Sequence, residues 1–173
     1  MELLLEGFIT AWRLLIRMDQ EVLAITLLSL KVSLLATLIS MLIGVLGGTA
    51  IALARFPGKR LVVSLINTGM GVPPVVAGLF VTIMLWRSGP FGSLELLYTP
   101  TAMIIAQTFI ATPLVMGISV AAIQNLPPDL RLQILALGAS RLQTIWLLVR
   151  EARLPLMAAI MAGFGCVISE VGA

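Results

Sequence analysis

The chain has 173 residues, 60% of them hydrophobic and 11% charged, with 11 Lys and Arg against 8 Asp and Glu and a mean hydropathy of +1.11. Its charges leave uncharged runs at 32–54, 61–86, 96–128 and 154–169; about 20 apolar residues cross a bilayer, so three runs suffice outright and the last does so if it tolerates Glu170. A soluble enzyme is excluded, and with no histidine, one cysteine and no Gly-x4-Gly-Lys-Ser/Thr loop, so are imidazole metal sites, Ser-His-Asp hydrolysis, internal disulfides and P-loop ATP hydrolysis.

The fold class that follows is all-α, a polytopic helical membrane protein. Within residues 1–20, Glu2, Glu6, Arg13 and Arg17 share one stripe at helical spacing, and Leu4, Leu5, Phe8, Trp12, Leu15 and Ile16 lie opposite. The segment reads as an amphipathic helix lying in the interface. A first spanning helix, which would bury Glu6 and Arg13, is the alternative. The acidic start and the lack of a small-residue cleavage site argue against a cleaved signal. Residues 22–173 form one transmembrane domain with spans predicted at about 22–54, 61–86, 101–124 and 154–173.

The loop Arg55-Phe56-Pro57-Gly58-Lys59-Arg60 and the connection 125–153 together hold seven of the eleven basic residues. Basic loops stay in the cytoplasm, so both are placed there, and the N-terminus and the 87–100 loop outside. The net charge of +3 reports this orientation and not a nucleic-acid partner. Lys31 and Arg87 fall towards the outer face, where they either attract an anion or reach for the interface.

The second span carries Pro73 and Pro74 at its middle, just after Asn67, Thr68, Gly69 and Gly71. The two prolines cost hydrogen bonds to the carbonyls of Gly69 and Met70. A helix opened at membrane depth persists where it faces a cavity or other protein, and transporters place substrate sites at such breaks; a packing kink is the other reading. Gln107, Thr108, Thr112 and Pro113 in the third span, and Ser169 and Glu170 in the fourth, also bring polar groups to membrane depth. An intramembrane carboxylate is a candidate functional group, unless it simply reaches water at the outer end. Gly44 with Gly48, Ala158 with Ala162 and Ala159 with Gly163 repeat small residues at four-residue spacing, which permits close helix packing.

The 125–153 connection predicts a helix–bend–helix. Pro127, Pro128 and Asp129 open the first helix and Gly138 closes it. Ser140-Arg141-Leu142-Gln143 is a capping box for the second, with Arg150 and Arg153 in its last turn. A structured protrusion of this length between two spans suggests a docking surface for a soluble partner.

Leu137-Gly138-Ala139-Ser140-Arg141, followed by Gln143 and Trp146, resembles the "EAA" cytoplasmic loop of type I ABC import permeases. Leu132, Gln133 and Ile134 stand where that pattern has Glu-Ala-Ala, and Arg150 and Glu151 where it has Leu-Pro. Gly71-Val72-Pro73-Pro74-Val75-Val76-Ala77-Gly78 resembles the Pro-Pro segment of molybdate and tungstate permeases. The 88–94, 98–108 and 164–173 stretches resemble the tungstate-type branch, which usually has arginine where Cys166 stands.

This resemblance implies a membrane-spanning subunit of an ATP-driven tungstate or molybdate importer in a bacterial or archaeal inner membrane. Gly138, Ala139, Ser140, Arg141 and Gln143 would couple to a separate ATPase subunit, which binds ATP and Mg2+, so this chain carries no cofactor. An oxyanion-binding protein would deliver substrate to a permease homodimer in the lipid bilayer. Asn67, Thr68, Pro73, Pro74, Gln107, Thr108, Thr112, Ser169 and Glu170 are the candidate translocation pathway. The competing reading is a non-transporting assembly subunit or an inactive permease fragment. The family continues past the fourth span, so the sequence is expected to be a C-terminally truncated permease.

Overall fold

The computed structural model describes residues 20–170, in which seven α-helices follow one another with no strand among them. They are α1 (Gln20–Leu53), α2 (Lys59–Met70), α3 (Pro74–Leu85), α4 (Pro100–Gln124), α5 (Leu130–Ala136), α6 (Arg141–Glu151) and α7 (Arg153–Glu170), with a 3-10 turn at Gly92–Leu94. Residues 1–19 of the predicted interfacial helix at 1–20 lie outside the described residues, and Gln20 opens α1. Helices α1, α4 and α7 are each long and apolar enough to cross a membrane.

Helix α1 shows how this chain sorts its side chains. Leu27, Leu30, Leu34, Leu38, Leu42 and Leu46 are exposed, while Val32, Ser33, Ala36, Thr37, Ser40, Gly44, Gly48 and Thr49 are buried. Large residues face outward and small ones inward, because lipid tails solvate leucine as well as a protein core does and association rests on close packing. The small stripe lies against α4. A Cβ added at Gly44 would stand 2.8 Å from Val115 Cβ, and one at Gly48 would stand 2.8 Å from both Met116 O and Ser119 Cβ.

Helix α4 is the central post. Positions on α1 and α4 rise together along the seam, so the two helices run parallel. Helix α7 runs the other way: Leu156 packs with Ala122 and Ile123, Gly163 against Val115, and Val167 with Ala36 and Ala111. Two parallel helices need a return between them, and α2 and α3 provide it. Lys59 at the start of α2 donates from Nζ to Ala52 O (2.6 Å) and Ala54 O (3.1 Å), capping the carbonyl end of α1. Gly69 reaches Pro113, halfway along α4. Val81 and Leu85 of α3 then line a cavity of about 530 Å³ with Leu28 and Met103 at the opposite end. The pair is therefore one broken crossing, and the 55–60 and 125–153 segments share one end of the bundle, as the charge pattern predicted.

The break is sharper than a kink: the axes of α2 and α3 differ by 103°. Pro74 forces the residue before it out of the helical region, and Pro73 accordingly sits at φ −59°, ψ 137°, with Pro74 opening α3. Upstream, Gly71 N–H donates to Thr68 O (3.0 Å) and Val72 N–H to Gly69 O (3.4 Å), tightening the last turn of α2. The Gly69 carbonyl thus recovers the partner that the prolines deny it.

Gly48 and Gly165 separate packing from intrinsic helix preference, since a Cβ at Gly165 meets nothing within 4 Å. Gly48→Ala should lower resistance to unfolding in mixed micelles by about 1–3 kcal/mol through overpacking. Gly165→Ala should be neutral or stabilising by up to about 1 kcal/mol. Equal effects at the two positions would refute the α1–α4 seam.

Candidate functional site

Two regions hold most of the residues singled out from the sequence, and both are positioned by α4. The first is the element that continues from its basic end. Helix α5 is closed by a Schellman-type cap: Gly138 takes φ +81°, its N–H donates to Leu135 O (3.0 Å), and Ala139 N–H donates to Ile134 O (3.4 Å). Two residues later the capping box is complete. Ser140 N–H donates to Gln143 Oε1 (2.8 Å), and Gln143 N–H donates to Ser140 Oγ (3.3 Å). Thr144 Oγ1 adds a bond to Ser140 O (2.9 Å). Gly138, Ala139, Ser140 and Gln143 therefore lock one bend, and Arg141 begins the helix that leaves it.

One face of this element is anchored and the other is bare. Ile134, Thr144, Leu148 and Ala152 are buried towards the bundle. At the bend, Leu137 is 88% and Leu142 80% exposed, and Leu132 and Trp146 are also exposed. Arg131 and Arg141 flank a neighbouring groove of about 560 Å³. Apolar side chains exposed outside the lipid-facing helices, ringed by cations, form a surface suited to a protein partner. Asp129 caps α5 without a side-chain hydrogen bond. One expectation needs correcting: α6 closes at Glu151 around the turn at Ala152, so Arg153 opens α7 and does not share the last turn of α6 with Arg150.

The second region surrounds the broken crossing. Asn67, Thr68 and Pro73 are exposed and Pro74 is half-buried. Thr68 Oγ1 donates to Ser64 O (2.9 Å). Asn67 and Ser64 open onto a groove of about 640 Å³ shared with Lys59, Arg60 and Gln124. Ser64 was missed in the sequence, although it lies one helical turn before Thr68 on the same face.

Gln107, Thr108 and Thr112 do not join this groove. Phe109, Pro113 and Gly117 form the face of α4 that meets α2 and α3, through the Phe80–Phe109 stack (5.4 Å) and the contacts of Gly69, Asn67 and Met70. Gln107 is buried and Thr108 half-buried on the other side, towards α1, where Ser40 Oγ reaches Thr108 O (3.5 Å). Thr112 Oγ1 is satisfied by Thr108 O (2.6 Å). The expected single polar lining is thus split by α4 itself. Sequence reasoning also missed Ser33 and Thr37, whose hydroxyls are buried without a partner, like Gln107 Oε1 and Thr108 Oγ1. Their helical spacing of three or four residues, continued by Ser40, Gly44 and Gly48, was the available signal. Ser169 is exposed and donates to Cys166 O (2.8 Å), and Glu170 is half-buried at the end of α7 farthest from the basic loops.

The family of binding-protein-dependent transport system inner membrane components matches residues 40–171. A probable anion ABC transporter permease protein of Haloferax volcanii is 45% identical over 149 residues, which cover 86% of this chain and 64% of that protein. The tungstate uptake system permease protein TupB of Peptoclostridium acidaminophilum is 40% identical over 173 residues, covering all of this chain and 76% of the relative. A sulfate transport system permease protein CysW of Synechococcus elongatus is 30% identical over 133 residues, or 73% of this chain and 46% of that protein.

Proposed function

This chain belongs to the family of binding-protein-dependent transport system inner membrane components, and from that premise we propose that it is the multi-pass permease subunit of an ATP-driven importer for tungstate or a similar oxyanion such as molybdate. The substrate class is supported by relatives named for tungstate, sulfate and anion transport. The observation that carries the coupling role is the locked, apolar bend at 137–142, set at the same end of the bundle as the basic 55–60 segment. The charge of that end supports a cytoplasmic position for it, and with it an N-terminus outside. A separate ATPase subunit grips the bend, and an oxyanion-binding protein loads the opposite face of a permease dimer.

ATP binding by the partner moves the 125–153 element as a rigid piece, because its two caps leave the bend little freedom. The push passes to α7 through Ala152 and Leu156 and to α4 through Ala122 and Ile123, which form one apolar cluster. Helices α1 and α4 then shift along a seam whose Ser33, Thr37 and Thr108 hydroxyls, buried without partners, are free to gain them. The anion passes along the exposed side of the broken crossing, past Pro73 and Pro74. Asn67 and Thr68 offer it hydrogen bonds there, and Lys59 and Arg60 in the groove shared with Asn67 attract a dianion towards the cytoplasmic end. Ser169 serves near the outer end, with Glu170 beside it. Gln107, Thr108 and Thr112 join the path only in a state that parts α1 from α4.

Reconstitution with the ATPase and binding protein tests both halves of this reading. Gly138→Leu forces a left-handed backbone onto a branched residue, at about 1–2 kcal/mol, and should reduce substrate-stimulated ATP hydrolysis to its basal level while membrane insertion is kept. Full stimulation in that variant would remove the coupling role from this bend. Asn67→Leu combined with Thr68→Val should cut tungstate uptake at least about tenfold with ATPase binding unchanged, the loss of roughly 1.4 kcal/mol of hydrogen bonding to the anion. Normal uptake would take the broken crossing out of the pathway.

A further inference from the structure

A groove of about 380 Å³ runs between α1, α6 and α7; it lies outside the pathway and shares only the edge residue Trp146 with the coupling surface. Its floor is aliphatic, with Leu42 and Leu46 of α1 facing Met157 and Ile160 of α7. Its rim is different in kind. Trp146, Arg150 and Arg153 close the groove at the basic end of the bundle, where α6 turns into α7. From Arg153 to Ile160 the groove descends about 10 Å along α7, which takes it from the headgroup region into the hydrocarbon.

Each part of the rim favours an anion. The Arg150 guanidinium lies over the Trp146 ring at 5.3 Å, which holds it in place while leaving its donors free. Neither Arg150 nor Arg153 forms an ion pair among the described residues, and the neighbouring Glu151 does not line the groove. Arg153 also stands at the first position of a helix, an end that favours acids. Trp146 is the residue type that settles at the membrane–water boundary. A second copy of the chain is a poor occupant here. Seven of the eleven basic residues belong to the two segments at this end, and a protein neighbour would bury two guanidiniums without their charge being met.

We propose that this groove binds an anionic phospholipid of the cytoplasmic leaflet, its phosphate against Arg150 and Arg153 and one acyl chain along Leu46, Met157 and Ile160. Basic pockets between transmembrane helices on this side of a membrane recognise such headgroups. Because the site joins α1 to the α6–α7 corner, lipid in it ties the first crossing to the element that bends at Gly138.

The test uses the full chain purified in micelles containing equal amounts of phosphatidylglycerol and phosphatidylcholine with the same acyl chains. Native mass spectrometry should show phosphatidylglycerol retained about thirtyfold over phosphatidylcholine, from about 1 kcal/mol for each of the two arginines. Arg150→Gln combined with Arg153→Gln should bring the ratio close to one. A second measurement leaves both arginines in place: with Trp12→Phe and Trp86→Phe, brominated phosphatidylglycerol should quench Trp146 fluorescence more strongly than brominated phosphatidylcholine. Equal retention and equal quenching would overturn the proposal. So would a preference that survives the double arginine variant, or a dimer that excludes both lipids and separates in that variant. None of these readouts depends on transport, so they stand or fall apart from the importer reading.

Discussion

The closeness with which α1 crosses α4 governs the rest of this molecule. Water drives the burial of large apolar residues in a soluble core, but between two helices in lipid that force is absent. What remains is contact at short range, and Gly44 and Gly48 supply it by letting Val115, Met116 and Ser119 approach to the limit of a missing Cβ. Gly163 does the same for α7 at Val115. With both neighbours fixed on one post, the ends of three helices fall at defined levels, and everything outside the bundle takes its position from them.

The broken crossing depends on that post as well. Twelve-residue helices set at 103° could not hold their corner in lipid, where freed backbone groups find no partner. Here the corner rests on Pro113 and Gly117 of α4, through Gly69, Asn67 and Met70. One face of α4 thus supports the irregular backbone while the opposite face holds α1 and α7. That division also explains why the polar groups of α4 are withheld from the groove beside Asn67. The proposed coupling element is the third dependant: its buried face ends in Ala152, which joins Leu156 in the apolar cluster at the base of α4, so a push on the bend would have a direct route into the bundle.

Local structure in this chain was legible where a residue type has one strong mechanical consequence. Uncharged runs located the crossings, basic loops marked a shared end, and the Gly138 and Ser140–Gln143 signals named the caps that form. What the sequence left open has a common cause. Outward and inward faces of these helices are nearly equally apolar, so polarity does not say which way a residue points; size does, as the leucines and the serine–glycine stripe of α1 show. Gln107 and Asn67 therefore looked alike as polar groups at membrane depth, although α4 separates them. The paired prolines announced a break, but its angle is set by the helix against which the two halves pack. Arg153 was assigned to the wrong helix because the turn at Ala152 has no glycine or proline of its own, and Pro155 lies inside the first turn of α7.

The central claim is that the bend at 137–140 is the place where a separate ATPase grips this permease. Site-specific crosslinking in native membranes addresses it most directly, using Leu137→Cys in a Cys166→Ser background, with Glu95→Cys at the other end of the bundle as the comparison. A product joining the Leu137→Cys chain to the ATPase subunit is expected, and none from Glu95→Cys. A crosslink from Glu95→Cys without one from Leu137→Cys would contradict the claim.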